Sequence, residues 1–522
     1  MTENAIQNRP GWGISLHWVT VISLLYLALP CMLFFSSWFT PWVAWPVNLG
    51  ILLTLYTFAR KRGSNQQVWV PGSAGCMGLL FAATVCAASF FSSGLAGYIT
   101  PHPDILIFRE ALYNNLIQGP WPLVLPDGKE MSYYLAGMLP PALMARLTED
   151  FTLQRVLALL WYTLGTFLSL LLFFCRNQRF SLLFVLFIVA FKDPVYIIIN
   201  SFAGTGDVWN AVGQFIPLPE NHYRGIPETF ATLSKHAQGY NFIPCTLLTS
   251  ALIINVAQQR HILIPLCISL LIPSSPLGAI GCSFLGIAAI FQQNKYTLKQ
   301  LAVSALLPFC ICFLCAVYYC RVESATCIGL HGTLQGNWQS FLCNYYLGIF
   351  LSTTLIGILI WPHVKADILV QVSLFCSLVL PWIYFGSTPE SGIFGNNELW
   401  LKTGIIFHSH LIAIICFSWA QLKWYKYAWL AAFIILNTKD ILSTKKKPTH
   451  SPVVSDVWNG HLHHQHPSLY QKLPHCHRSA IHNALLLQGG EAEQNFPGTI
   501  LPKAKGCNYS RPMQPDGVHI TH

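Results

Sequence analysis

Charged side chains are scarce in this chain, and they gather. Of its 20 acidic residues, Asp104, Glu110, Asp127, Glu130, Glu149 and Asp150 fall in one stretch, Gly97 to Asp150, with Arg109 and Lys129 among them. A carboxylate can take a proton from an attacking hydroxyl, and nearby cations can hold an anionic leaving group. From Asp104 onward, Ile105, Leu106, Phe108, Leu112, Leu116 and Ile117 recur at helical spacing. That spacing predicts an interfacial helix lying on a membrane, with Asp104 near its N-cap. The plain alternative makes Asp104 a cap only, and Arg109 and Glu110 a solvated face. Further on, the segment SYYLAGMLPPALMARL, which contains Tyr133, is apolar but broken by Pro140 and Pro141, so it is no ordinary spanning helix.

Other groups suit anion binding. The segment Asn221 to Tyr240 carries Arg224, Lys235 and His236. Arginine offers a planar fork to phosphate, lysine a point charge. Each also reads as an ordinary loop cation. Glu398 and Lys402 stand four apart at the mouth of an apolar run, as a helical i,i+4 pair or as donor-phosphate contacts. Lys192 and Asp193 interrupt another run, either as its end or as an inward-facing pair. Asp207 sits in a Gly-rich turn. His461, His463 and His464 do not by themselves make three converging metal ligands.

The elements that must position these groups are apolar helices. Hydrophobic residues make up 53% of the chain and charged residues 10%, against roughly 25% charge in a soluble domain. The apolar runs approach the ~20 residues needed to cross hydrocarbon, and they are continuous, which excludes a membrane β-barrel. They cover Ser15–Ser37, Pro41–Ala59, Cys76–Leu95, Leu153–Cys175, Phe180–Asn200, Phe242–Ala257, Leu301–Tyr319, Tyr345–Trp361, Ile368–Phe385, Thr403–Trp419 and Tyr427–Leu436. Two shorter runs, His261–Ile272 and Leu277–Phe291, flank Pro273-Ser274-Ser275-Pro276 and read as short, broken or re-entrant helices.

With the N-terminus inside, the clusters at Arg60–Arg62, Arg176/Arg179, Arg260, Lys295/Lys299, Lys365 and Lys423/Lys426 share one face. This predicts an all-α polytopic protein of about 13 transmembrane helices, N-terminus cytoplasmic, in an inner (plasma) membrane. Residues 1–436 form the membrane domain, and 437–522 a polar tail placed on the outer face, against which Lys445-Lys446-Lys447 argues. The net charge of +10 follows from these clusters and does not indicate nucleic acid. No Walker-type or dinucleotide-binding glycine motif is present, which argues against a nucleotide-driven pump. The Cys residues lie mostly in apolar runs. Pairs such as Cys476 with Cys507, or two of Cys320, Cys327 and Cys343, are open options on an oxidising face.

A set of motifs in the long loop adds to this. Asp104, Asn114-Asn115, Trp121-Pro122, Tyr133-Tyr134 and Leu139-Pro140-Pro141-Ala142-Leu143, with SPLGAIG at Ser275–Gly281 and FGNNELWLKT at Phe394–Thr403, resemble a group of bacterial membrane proteins similar to the GT-C class of glycosyltransferases. The likeness spans roughly residues 75–420 and is diffuse between motifs. It implies a GT-C-like fold with re-entrant or interfacial helices in the first outer loop and a polyprenyl-phosphate sugar as donor. It also implies an acidic residue of that loop as catalytic base, which is Asp104 here, with Glu110 in reserve. The chain departs from the pattern at Phe108-Arg109, where a basic-polar pair is more familiar.

The expected activity is transfer of a sugar to an envelope glycan, lipid or protein at the outer face of the bilayer. Arg109, Lys129, Tyr133, Arg224, Lys235, His236, Glu398 and Lys402 would bind the donor, and a divalent cation, Mg or Mn, would assist as the one possible cofactor. The alternatives are a transporter or flippase of lipid-linked glycans, which needs polar groups at mid-membrane depth, and a scaffold subunit that binds partners through its tail.

Overall fold

The computed structural model describes residues 13–60, 68–92, 112–123, 134–185, 243–260, 263–293, 298–320, 360–365 and 367–386, with single positions at 354, 357–358, 407, 411, 413–414 and 417. A two-residue strand β1 (Ile14–Ser15) leads into α1 (Leu16–Trp38) and α2 (Pro41–Arg60). Strand β2 (Val68–Trp69) follows and pairs antiparallel with β1, Ile14 opposite Trp69. Next come α3 (Ser73–Ser92), a helical turn pair at residues 112–118 (α4), a 3-10 turn at Ala136–Met138 running into α5 (Leu139–Ala145), α6 (Phe151–Asn177) and α7 (Leu182–Val185). The second half holds α8 (Ile243–Arg260), α9 (Ile264–Leu271), α10 (Pro276–Gln293), α11 (Leu298–Cys320), α12 (Trp361–Val364) and α13 (Ile368–Gly386).

Among the described residues, α1, α2 and most of α6 are long and apolar enough to cross a membrane. Trp42, Trp45, Leu53, Tyr56, Phe309 and Phe313 lie on the outside of the bundle. Facing water, such a belt would drive aggregation; facing lipid it costs little. This is the build of a helical membrane protein. The apolar runs at Ser15, Pro41, Cys76, Leu153, Leu301 and Ile368 each become a helix within a few residues of the expected bounds. Phe407, Leu411, Ala413, Ile414 and Phe417 are helical, as expected for the run at Thr403. Most of the runs at Phe180 and Tyr345, and all of that at Tyr427, lie outside the described residues.

The centre of the bundle is α8. Residues 243–255 are buried on every face, and α6 and α10 pack along it. Gly165, midway along α6, makes room for this: a Cβ there would stand 2.5 Å from the Tyr26 hydroxyl and 2.8 Å from Pro244. Three elements therefore meet at mid-length of α1 and α6. Tyr26 stacks on Trp161 at 4.2 Å between ring centroids, and its hydroxyl donates to the Trp161 carbonyl at 3.2 Å.

The short pair around Pro273 is resolved in kind. Helix α9 has 8 residues, about 12 Å of rise, against ~30 Å of hydrocarbon. It cannot cross. The chain turns inside the protein at Ser274 and Ser275, both buried, and α10 leads back with the Ser275 hydroxyl accepting from Gly278 N at 3.2 Å.

The bundle has two unlike ends. At one, His17 Nε2 lies 3.2 Å from the Ala59 carbonyl, β1 pairs with β2, and Trp69 meets Phe174. There Arg176 Nη1 donates to the Ile254 and Asn255 carbonyls at 2.7 and 3.0 Å, and Gln292 Nε2 to Asp367 Oδ1 at 3.3 Å. Arg60, Arg179, Arg260 and Lys365 belong to the helix termini gathered at this arginine end. At the opposite, loop end, Trp38 meets Trp121, Phe34 meets Tyr318, and Tyr319 donates to the Ile272 carbonyl at 3.3 Å.

Candidate functional site

The chain between α3 and α6 folds into the loop end, and its local chemistry explains how. Pro140 and Pro141, which forbid an ordinary spanning helix, instead start a short one. They occupy the first turn of α5, where their missing N–H groups have no helical partner to lose. Leu139, Pro140, Pro141, Ala142 and Ala145 are buried, and α5 packs on α1 and α6. Ala136 N donates to the Pro273 carbonyl at 3.4 Å, which joins this motif to the turn between α9 and α10.

The next reversal is fixed by side chains. Asp150 caps α6, its carboxylate accepting from Thr152 N at 2.8 Å and Leu153 N at 3.3 Å. Gln154 reaches back to the Thr148 carbonyl at 2.8 Å. Tyr113 donates to the Gln154 carbonyl at 3.3 Å, which seats α4 against the start of α6.

Arg146 locks the loop onto this base. Its Nε and Nη2 donate to the Leu116 carbonyl at 3.1 and 2.9 Å, and Nη2 also donates to the Gly119 carbonyl. The guanidinium lies 4.3 Å over the Trp121 ring. Trp121 Nε1 donates to the same Leu116 carbonyl at 2.9 Å. Partial desolvation lowers the Arg146 pKa from its ordinary value, though a guanidinium stays charged at physiological pH.

Deeper in, Arg155 is fully buried on α6, with its guanidinium carbon 5.1 Å from the Tyr113 ring centroid. Asn114 and Asn115 are buried as well. Asn114 donates to Gln118 at 3.4 Å, whereas the Asn115 side-chain nitrogen has no hydrogen-bond partner among the described residues. Positions 112–117 are buried throughout. The described part of the expected interfacial helix is thus helical, but it is enclosed by protein rather than wetted on one face.

Asp104, Arg109, Glu110, Lys129, Tyr133, Arg224, Lys235, His236, Glu398 and Lys402 all lie outside the described residues, as do Lys192, Asp193, Asp207 and the tail histidines. What the structure brings together is the frame of the long-loop motif set: Asn114-Asn115, Trp121-Pro122, Tyr134 and Leu139–Leu143, all at the loop end. Reasoning from sequence missed Arg146 and Arg155. Arg155 had a signal, being a lone cation near the start of the apolar run Leu153–Cys175. Arg146 had only its place directly after the Pro-Pro helix. Among the described residues no group of His, Cys, Asp or Glu is arranged to hold a metal ion, and Cys320 is a free thiol. The chain matches no family model, no curated protein and no solved structure.

Proposed function

We propose that this protein is a membrane glycosyltransferase, moving a sugar from a polyprenyl-phosphate donor to an envelope glycan, lipid or protein. Asp104 is the base that takes the acceptor hydroxyl's proton, and Glu110 stands in reserve. Arg109, Lys129, Tyr133, Arg224, Lys235, His236, Glu398 and Lys402 are the candidate donor contacts. In this reading the loop end faces outward, the arginine end and N-terminus face the cytoplasm of a plasma membrane, and about 13 spans form the scaffold.

One observation carries the reading. Residues 112–117 and α5 are drawn into the apolar body rather than left as a surface loop, with α4 held against α6 and α5 packed on α1 and α6. Loops in general run over surfaces. A polar segment enclosed at the end of a membrane bundle offers donors and acceptors at the depth of lipid head groups. Replacing Asp104 by Asn removes the base without changing shape. Transfer from a polyprenyl-phosphate sugar should fall by ~10²–10⁴-fold with expression unchanged. Full activity in Asp104→Asn, with or without added Mg²⁺ or Mn²⁺, rules out Asp104 as the base.

A second reading, a transporter of lipid-linked glycans, is favoured by a different observation. The hydroxyls of Thr246 and Thr249 are buried in α8 without hydrogen-bond partners among the described residues, Thr246 beside the turn where α9 stops inside the protein. Polar groups of this kind inside a membrane bundle suit a translocation path. Movement of a lipid-linked sugar across vesicles without any sugar transfer would select this reading.

A further inference from the structure

The Arg146 guanidinium is only partly used by its own protein. Nε and Nη2 are committed to the Leu116 and Gly119 carbonyls, and one face of the ion rests on Trp121. Nη1 donates to nothing among the described residues, and no carboxylate pairs with the charge there. The side chain is exposed. Among the described residues the charge therefore meets only carbonyl dipoles and a ring face, while the two N–H groups of Nη1 stay open. Most arginines lose rotamer freedom when they bind an anion. This one has already lost it, so little ordering remains when an anion arrives.

Its depth is also marked. Trp121 touches Trp38, and Trp42 and Trp45 stand exposed one turn further along the chain. Tryptophans concentrate where hydrocarbon gives way to head groups. A phosphate on a membrane lipid sits at that same level.

We infer that Arg146 is a phosphate-binding residue of the loop end, holding the phosphate of a membrane-borne lipid on its open Nη1 edge. This deepens the transferase reading, in which that lipid is the sugar donor, and adds a contact absent from the loop cations considered above. The source of the phosphate is lipid rather than solution, because the edge lies at the aromatic level of the bundle.

The test uses the full chain in nanodiscs of a neutral lipid. Binding is measured for undecaprenyl phosphate, phosphatidylglycerol and inorganic phosphate. The variants are Arg146→Gln, Arg146→Lys and Trp121→Phe. Arg146→Gln should weaken undecaprenyl phosphate binding at least about tenfold and flatten its salt dependence, because a charged contact is lost. Arg146→Lys should recover part of the affinity, since it restores charge without the fork. Trp121→Phe loosens the same clamp but keeps the cation, so it should keep most of the affinity and the salt dependence. Inorganic phosphate should bind far more weakly than either lipid.

Equal loss in Arg146→Gln and Trp121→Phe, matched by equal loss of thermal stability, would show Arg146 to be a structural clamp only and overturn the inference. Unchanged lipid binding in Arg146→Gln overturns it too, as does tightest binding of inorganic phosphate. Failure of the transferase reading stays separate. Lipid phosphate binding that needs Arg146, without any sugar transfer, sinks the enzyme and keeps this site.

Discussion

The arginine end and the loop end each fix a guanidinium group against backbone carbonyls, but they use it differently. Arg176 directs one nitrogen to two carbonyls of α8, and Gln292 donates to Asp367 just before α13. Arg176 thereby ties α6 to α8, and Gln292 ties α10 to the start of α13. Arg146 ties α4 to α5 with two of its nitrogens, rests on Trp121, and keeps a third nitrogen open among the described residues. At the arginine end the bonds run from helix to helix; at the loop end they hold a returning loop at the level of Trp38 and Trp121. In a bundle with so few charges, that contrast supports the proposal that the loop end is the working end.

The comparison breaks hardest at the junction both ends share. Gly165→Ala would press a methyl into the Tyr26 hydroxyl and Pro244. We expect a loss of about 1–3 kcal/mol or more, read as a large fall in unfolding temperature, with both ends loosened together. Unchanged stability there would mean that α1, α6 and α8 are not packed as described.

Arg176→Gln acts next. Losing charge-assisted bonds to the Ile254 and Asn255 carbonyls should cost about 1.5–3 kcal/mol. Ligand affinity of the folded protein should stay the same, because the proposal assigns binding to the loop end. A selective loss of affinity in this variant would erase the contrast between the ends. Smaller again is Asp150→Ala, which removes the cap of α6. It should cost ~1 kcal/mol and show as faster amide exchange at Thr152 and Leu153 alone. The smallest effect belongs to Thr246→Val. Its hydroxyl is buried without a partner among the described residues, so a shape-preserving apolar replacement should be neutral or slightly stabilising. If instead this change stops lipid movement across vesicles, the interior hydroxyls are a path, and the transporter reading gains.

The main spans were legible because a run of about 20 apolar residues has few other fates. Leu16–Trp38 and Pro41–Arg60 begin and end almost where the apolar residues do. The clustering of Arg60, Arg176 and Arg260 at one end was legible for the same reason, since each closes such a run. The fate of His261–Ile272 was legible only as a choice, because apolar composition is alike in a crossing helix and in one that turns inside protein. Pro273 and two buried serines decide it. The burial of α4 on all sides was not legible. Its spacing marks an apolar face, but Asn114 and Asn115 gave no sign of being enclosed. Arg146 was the hardest case. Its partners are backbone carbonyls, which carry no sequence signature, so nothing in the sequence singled it out. For the proposed catalytic set the order is reversed: Asp104 and Glu110 are named by sequence, while the described structure supplies the frame beside them.

The most direct test of the central claim is ligand stabilisation of the intact protein. Unfolding of the wild type and of Arg176→Gln is followed in neutral lipid with a panel of polyprenyl-phosphate sugars. A ligand that binds only the folded state adds about 2.7 kcal/mol at a hundredfold excess over Kd. The account predicts that one sugar gives this gain in both proteins, the variant starting from a lower baseline. No gain with any donor, or a gain that disappears only when the arginine end is altered, would contradict the assignment of the loop end as the working end.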